Sequence, residues 1–140
     1  MSYLAKIGVE KERHLKVATN QTTSFLWEGE NVLSTPSMIS EMEETCRLLV
    51  KEECIVDNTW DSVGTLVNIK HLAATPVGAE IILKAKIVSF EGRRVLFQVV
   101  ALDNLERIGE GTHERSLIEV PRFRKKFIEK QEKLGLKKWK

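Results

Sequence analysis

Residues 35–50 read TPSMISEMEETCRLLV and have the most regular pattern of apolar and polar residues in the chain. Thr35 before Pro36 is a helix-start signal, because Thr suits the N-cap and Pro suits the first helical position. At 100° per residue the apolar side chains fall on one arc of about 120°, with polar side chains opposite. The arc holds Met38, Ile39, Met42, Cys46, Leu49 and Val50. The pattern predicts one amphipathic helix of about four turns.

The segments after this helix alternate between apolar and polar residues, which is the pattern of half-buried strands. They span residues 63–71, 79–90, 95–103 and 111–120. Short turns such as EGRR at 91–94 join them, with no crossover helix, so the strands must run antiparallel. Before the helix, residues 15–18 and 22–27 predict two short extended pieces. A single helix then has to cover the apolar face of one curved sheet, which is an α+β architecture.

The chain has 140 residues, which suits one domain, and its charges are unevenly spread. Residues 122–140 hold nine Lys/Arg and two acids, a local net charge of +7, so the rest of the +2 chain is net −5. Phe123, Phe127 and Leu134 in this tail are spaced as one helical stripe. We therefore expect one domain at 1–120 and a basic C-terminal surface helix within 121–140.

The sequence indicates no membrane segment, no secretion signal and no metal site. No apolar run approaches the roughly 18 residues needed to span a bilayer, and the first residues lack an apolar signal core. Cys46 and Cys54 have neither a metal-ligand nor a disulfide-framework spacing. We expect a cytoplasmic protein in a reducing compartment, without cofactor or metal and without a membrane partner.

His71 closes a strand face that is otherwise apolar. Counting by two from Val63 places its imidazole on the same side as Val67 and Ile69. A lone histidine at a strand end is more often a hydrogen-bonded structural residue than a catalyst, although imidazole is suited to acid–base chemistry near neutral pH. His113 in the last strand leaves the same two interpretations open.

Glu43 and Thr35 also allow a structural and a functional interpretation. Glu43 lies at the edge of the apolar arc, so its carboxylate either reaches solvent or is partly buried and suited to general-base work. Thr35 is a good N-cap, yet a helix start also presents free N–H groups where a carbonyl oxygen can become negative. The basic tail is either a solvated helix or a surface for nucleic acid or another anionic ligand.

The sequence resembles the fluoroacetyl-CoA thioesterase-like family of hotdog proteins. The resemblance rests on STPSMISEMEETC at 34–46, VGTLVNIKHLAATPVG at 63–78, EGRRVLFQVVALD at 91–103 and GTHERSLIEV at 111–120. It covers about residues 35–120 and implies a hotdog fold, in which a curved antiparallel sheet wraps around one central helix. Family members use a threonine that opens the helix, a glutamate eight residues later, and a histidine seven residues after a glycine.

The resemblance assigns roles to particular positions of this chain. Thr35, Glu43 and His71 match the catalytic residues, and Gly64 matches the glycine whose N–H helps to hold the acyl carbonyl. It further implies that Pro36, Met42, His113 and Arg115 contribute to substrate binding. Gly64 and His71 differ in strand parity, so either the strand bends or a partner subunit supplies one of them.

The resemblance also implies an activity and an assembly. The expected activity is hydrolysis of an acyl-CoA to a carboxylic acid and free CoA, in a homodimer whose sites lie between subunits. The aromatic lid of the fluoroacetyl-CoA enzyme is not matched, because Phe25 and Trp27 lie well upstream of Thr35, so the fluorinated substrate is not carried over.

Several alternatives stay open at this point. The chain could be a non-catalytic acyl-CoA-binding or sensing module, or a hydratase or dehydratase of the same fold. A role for the tail in nucleic-acid binding ranks last, because the acidic body opposes it. Attraction of the CoA phosphates is a milder role for the tail.

Overall fold

The computed structural model describes residues 1–23 and 31–136. Within these residues, short connections join seven strands and two α-helices, and a one-turn 3-10 helix covers Thr19–Gln21. In chain order the elements are β1 (Glu10–Lys16), β2 (Thr22–Thr23), β3 (Val32–Leu33), α1 (Thr35–Glu53), β4 (Trp60–His71), β5 (Glu80–Glu91), β6 (Arg94–Leu102), β7 (Arg107–Glu119) and α2 (Val120–Lys133).

The five long strands form one antiparallel sheet in the order β1-β5-β6-β7-β4, so β1 and β4 are its edges. Helix α1 packs against all five of these strands. The alternation predicts nine inward-facing residues along β5 and β6, and eight of them are confirmed as buried: Ile81, Leu83, Ala85, Ile87, Val95, Phe97, Val99 and Ala101. The ninth, Ala79, precedes β5 and is only half-buried. The α+β architecture expected from the sequence follows from this single layer of helix on sheet.

Helix α1 begins where the sequence predicted but is capped by a different residue. Ser34 is the N-cap, and its side chain accepts a hydrogen bond from the N–H of Ser37 at 3.2 Å. The interpretation of Thr35 as the N-cap is therefore wrong, because Ser34 already has the extended backbone that a cap needs. Thr35 is the first helical residue and its hydroxyl remains available for another partner. The helix also continues three residues beyond Val50, to Glu53.

A β-bulge in β4 changes which side chains face the helix. Gly64 pairs with Arg115 and Leu66 pairs with Glu114, so Thr65 is the extra residue. The prediction that Val63 and His71 share a face is therefore wrong, since the bulge reverses the alternation at Thr65. Directly paired residues point to the same side of a sheet, which places Gly64 and His71 on one face although their sequence parity differs.

Other element boundaries also differ from the sequence prediction. Strand β1 covers Glu10–Lys16 rather than residues 15–18, and β7 starts at Arg107, within a segment that the sequence indicated as a connection. Only residues 22–23 of the extended piece expected at 22–27 are described, as β2; the rest of it, with Phe25 and Trp27, lies outside the described residues.

Helix α2 lies on the surface with no buried residue. It begins at Val120, one residue before the boundary expected between domain and tail, and the division into two units stays a prediction. Phe123 and Phe127 are exposed. Within residues 1–23 and 31–136, no helix has the length and apolar character needed to cross a membrane.

Candidate active site

The start of α1 and the end of β4 bring two predicted site residues into contact. The hydroxyl oxygen of Thr35 lies 2.8 Å from Nδ1 of His71, a hydrogen-bonding distance. The contact exists because Ser34 caps the helix and because the bulge turns His71 toward the helix side of the sheet. A hydroxyl beside an imidazole nitrogen is the arrangement that activates an oxygen nucleophile.

The surroundings of His71 favour the neutral imidazole. Burial lowers the pKa of His71, and an interaction with the backbone of Ala73 opposes this shift. Its Nε2 is enclosed and has no hydrogen-bond partner among the described residues. A neutral ring that carries its proton on Nε2 leaves the Nδ1 lone pair to accept the Thr35 proton.

A cleft of about 330 Å³ opens beside this pair. Apolar side chains including Val32, Leu72 and Ala73 line it together with Thr35 and His71. Its size falls in the range of small-molecule sites, which are mostly apolar with a few convergent polar groups. The cleft therefore offers an acyl group an apolar wall next to a hydroxyl and an imidazole.

Glu43 belongs to a second cluster, away from this pair. Its Oε2 lies 3.9 Å from Nη1 of Arg115, and the Glu43 side chain keeps 40% of its surface exposed. A Cβ at Gly64 would lie 3.4 Å from the same Glu43 oxygen and 3.1 Å from Cε1 of His113. Gly64 thus allows the carboxylate and the imidazole to approach the backbone of β4 closely.

Arg115 and His113 form a buried support for Glu43. Arg115 donates from Nε to the hydroxyl of Ser62 at 2.7 Å and from Nη2 to the Ser62 carbonyl at 2.9 Å. His113 Nδ1 lies 2.8 Å from the carbonyl oxygen of Leu66, which can only accept, so Nδ1 carries the proton. Its Nε2 then accepts from Nη1 of Arg115 at 3.2 Å.

The pKa values of His113 and Arg115 are both lower than usual. Burial lowers the pKa of His113, and the neighbouring Arg115 charge adds to that shift, so a neutral ring fits the hydrogen bonds. Burial also lowers the pKa of Arg115. A guanidinium nevertheless keeps its charge in proteins. Glu43 is therefore held next to a fixed positive charge.

Within one chain the two clusters are separated along the elements that carry them. Thr35 and Glu43 are separated by eight helical residues, about 12 Å along the axis. Gly64 and His71 are separated by seven strand residues, about 20 Å. The bulge places Gly64 and His71 on the same face of the sheet but does not remove the distance between them. The chain therefore carries two separate clusters of predicted site residues, which we call half-sites: Thr35 with His71, and Glu43 with Gly64.

Pro36 and Met42, which the resemblance assigned to substrate binding, lie in different surroundings. Pro36 is exposed in the first turn of α1 beside Thr35. Met42 is only 2% exposed and belongs to the core. His113 and Arg115 are also buried, at 1% and 5%. The assignment of all four to substrate binding stays a prediction.

The sequence did not single out Ser62 or Gly109. Ser62 anchors Arg115 through both its hydroxyl and its carbonyl. Gly109 pairs with His71, and a Cβ there would lie 2.6 Å from Sδ of Met38. No local sequence pattern indicates Ser62 or Gly109, because both roles depend on contacts between distant segments.

Other candidate groups in the described residues do not form a site. Burial raises the pKa of the Cys46 thiol far above its usual range, so it is a poor nucleophile. Within residues 1–23 and 31–136, no group of three His, Cys, Asp or Glu side chains is placed to hold a metal ion. A groove of about 410 Å³ on β1, β5 and β6 is lined mainly by Lys and Glu and lies apart from both half-sites.

The chain is similar to proteins of known function. The family model for fluoroacetyl-CoA-specific thioesterase matches residues 17–121. The fluoroacetyl-CoA thioesterase of Streptantibioticus cattleyicolor is 33% identical over 118 residues, which is 84% of this chain and 81% of that protein.

Solved structures agree with the sequence match. A structure of the fluoroacetyl-CoA thioesterase FlK superposes with a TM-score of 0.81 at 30% identity, covering 90% of this chain and 97% of that chain. A variant of FlK in complex with fluoroacetate and CoA superposes with a TM-score of 0.75 at 31% identity, covering 85% and 99%. The hotdog fold expected from the sequence is confirmed.

Proposed function

From the premise that this chain belongs to the fluoroacetyl-CoA-specific thioesterase family and is a thioester hydrolase, we propose that it hydrolyses an acyl-CoA at a site that two subunits complete. The observation that carries the proposal is the 2.8 Å contact between the Thr35 hydroxyl and Nδ1 of His71 at the mouth of an apolar cleft. The carboxylate, glycine and arginine of the second half-site would come from a partner.

The exposed edge of the sheet supports a homodimer. The middle of β4, residues 64–68, is exposed, and Leu66 and Val67 keep 47% and 44% of their surface. An exposed apolar edge strand is a template for pairing with another strand. Antiparallel pairing of β4 with its own copy about this stretch would set the His71 end of one strand beside the Trp60 end of the other. Glu43 of the partner subunit then approaches the Thr35–His71 pair.

The chemistry starts at the Thr35 oxygen. In one route this oxygen attacks the acyl carbon, His71 Nδ1 takes its proton, the C–S bond breaks and the thiolate takes the proton from His71. Water then cleaves the acyl–threonine ester: Glu43 of the partner subunit removes a water proton, the bond between the acyl carbon and the Thr35 oxygen breaks, and the proton returns to the Thr35 oxygen. In the other route, Thr35 and the partner's Glu43 hold a water that attacks the acyl carbon directly. Glu43 takes the water proton, the C–S bond breaks, and the proton passes to the leaving thiolate. General acid–base assistance of this kind contributes about 10²–10⁴ in rate.

The oxyanion would be stabilised by a backbone N–H near the partner's Gly64 or at the start of α1. A single well-placed donor contributes about 3 kcal/mol to such a transition state. Arg115 would act as a positioning residue that holds the Glu43 carboxylate toward the interface. The acyl group that the cleft accepts and the cytoplasmic location expected from the sequence stay predictions.

The function is tested by hydrolysis of an acyl-CoA panel by the wild type, Thr35→Ala, Thr35→Ser and Glu43→Gln. We expect turnover by the wild type, a loss of 10²-fold or more in kcat for Thr35→Ala and Glu43→Gln, and a smaller loss for Thr35→Ser, which keeps the hydroxyl. Mass spectrometry of the quenched reaction separates the two routes, since only the first adds an acyl group to Thr35. Equal rates for the wild type and Glu43→Gln on every acyl-CoA would contradict the proposal.

A further inference from the structure

A second cleft lies where α2 leaves the sheet, and its charge is dominated by cations. It measures about 380 Å³ and is lined by Arg93, Ile118, Glu119, Arg122, Phe123 and Lys126. Three basic side chains and one carboxylate therefore surround a concave surface that also includes an aromatic ring. Such a surface suits a phosphorylated ligand, because Arg and Lys are the usual partners of phosphate oxygens.

The three cations of this cleft form no ion pair among the described residues, although Glu119 also lines the cleft. None of the ion pairs found within residues 1–23 and 31–136 involves Arg93, Arg122 or Lys126. The Arg93 guanidinium lies over the Trp60 ring, with its carbon 4.8 Å from the ring centroid. Stacking fixes the plane of the guanidinium while its N–H edges stay free for a bidentate contact.

The position of this cleft in the sheet relates it to the thioester site. Glu119, the last residue of β7, pairs with Trp60, the first residue of β4, so the cleft lies at the Trp60 end of the edge strand. In the proposed dimer, the Trp60 end of one β4 lies beside the His71 end of the other. The cationic cleft of one subunit would then flank the Thr35–His71 cleft of its partner, outside the acyl pocket.

We infer that this cleft, formed by Arg93, Arg122 and Lys126, binds the phosphate groups of the CoA portion of a substrate whose thioester is cleaved in the partner subunit. The inference rests on the proposed function and adds a substrate-binding role for the basic helix. The phosphates of CoA lie at the opposite end of the molecule from its thioester, so a cationic surface is needed at a distance from Thr35. The aromatic ring of Phe123 supplies an apolar contact beside the cations.

The test compares acyl-CoA with the corresponding acyl-pantetheine, which carries the same thioester but no phosphate. The variant is Arg122→Glu with Lys126→Glu. The matched control is Arg124→Glu with Lys125→Glu, which makes the same change in net charge on the same helix at residues that do not line the cleft. We expect the cleft variant to raise KM for acyl-CoA about tenfold or more, with kcat and acyl-pantetheine hydrolysis unchanged.

The control variant is expected to change KM for acyl-CoA by less than about twofold at 0.15 M salt, since distant surface charges are screened. An unchanged KM in the cleft variant, or an equal rise in both variants, would overturn the inference while acyl-pantetheine turnover still supports the proposed function. Loss of binding to anionic lipid vesicles in the cleft variant, with KM for acyl-CoA unchanged, would assign the cleft to a lipid phosphate and also overturn it. If the wild type hydrolyses neither thioester, the proposed function itself fails.

A heterodimer tests whether the cleft acts across the interface. Thr35→Ala chains and cleft-variant chains are given different tags, and the mixed dimer is isolated. Its only intact Thr35–His71 pair lies on the cleft-variant chain and faces the unaltered cleft of the Thr35→Ala chain. We expect a KM near that of the wild type, whereas a KM as high as in the cleft-variant homodimer would show that the cleft serves its own subunit and would contradict the inference.

Discussion

At the scale of single residues, the two adjacent hydroxyl side chains at the start of α1 have different partners: Ser34 caps the helix and Thr35 contacts His71. Ser34 satisfies the N–H of Ser37, so Thr35 can contact His71 instead of its own helix. The sequence predicted Thr35 as the cap and missed Ser34, because Ser and Thr are each favoured at a cap and the backbone angle that decides between them is not visible in the pattern. The candidate pair itself followed from the family resemblance, and the structure adds the contact between the two side chains.

The pH dependence of hydrolysis tests the state of His71. Its burial lowers the pKa below the ordinary value of 6.5, and the proposed base must be neutral. We therefore expect kcat/KM to stay level as pH falls to about 6.5 and to decline only at lower pH. His113→Gln should keep this decline in kcat/KM at low pH (the acid limb of the profile), and His71→Gln should lose activity at every pH. An acid limb centred above pH 7 in the wild type would contradict a buried, neutral His71.

His71 and His113 also make the free energy of unfolding depend on pH. In the unfolded chain they take up protons near pH 6.5, and in the folded chain only at lower pH, because burial lowers both pKa values. The unfolded state binds more protons in that window, so the free energy of unfolding falls as pH drops below about 6.5. The slope is at most about 1.4 kcal/mol per pH unit for each histidine.

At the scale of elements, the bulge in β4 and the glycines of β7 determine which side chains meet. The alternation of β5 and β6 was predictable from the sequence, because their inward residues are uniformly apolar. The bulge was missed, since counting by two from Val63 continues to His71 without allowing for an extra residue. The start of β7 was also missed, because Gly109 and Gly111 resemble turn residues. Their actual role is to let Met38 and the β4 backbone approach β7 closely.

Gly111→Ala tests this close approach. A Cβ at Gly111 would clash with the carbonyl oxygen of Asn68 and would lie 2.9 Å from Cα of Ile69, in the strand that ends at His71. We expect a loss of about 3 kcal/mol in the free energy of unfolding, measured by urea denaturation. The control is Gly8→Ala, which also has a positive φ, +92°, but open space around the added methyl. It should cost only about 1 kcal/mol, and equal losses in the two variants would contradict the packing argument.

At the scale of the whole molecule, the two half-sites begin at Thr35 and Glu43, which lie about 12 Å apart along α1. The fold was predictable from the helix arc, the run of strands and the resemblance. The separation of Glu43 from Thr35 follows only from helix geometry combined with the Glu43–Arg115 contact. Arg115 is far from Glu43 in sequence, so no local pattern could have indicated that the two are neighbours.

Disruption of the β4 edge tests whether activity depends on pairing. Leu66 lies in the middle of the exposed stretch, near the expected two-fold axis, so in Leu66→Asp two carboxylates would face each other. We expect the mass from light scattering to halve and hydrolysis to fall in parallel, with the circular dichroism spectrum retained. Leu105→Asp, at a residue 90% exposed in the β6–β7 turn, is the matched control and should leave both unchanged. An active Leu66→Asp monomer would contradict the shared site.

The most direct test of the shared site is complementation between two inactive variants. Thr35→Ala and Glu43→Gln homodimers each lack one half-site in both of their active sites. Subunit exchange at equal concentrations gives half heterodimers, and one of the two sites in each heterodimer has no substitution, so about a quarter of the sites are restored. We predict that mixing recovers about a quarter of wild-type kcat per site. If the mixture exchanges subunits but stays as inactive as the separate variants, Thr35 and Glu43 act within one chain and the account is wrong.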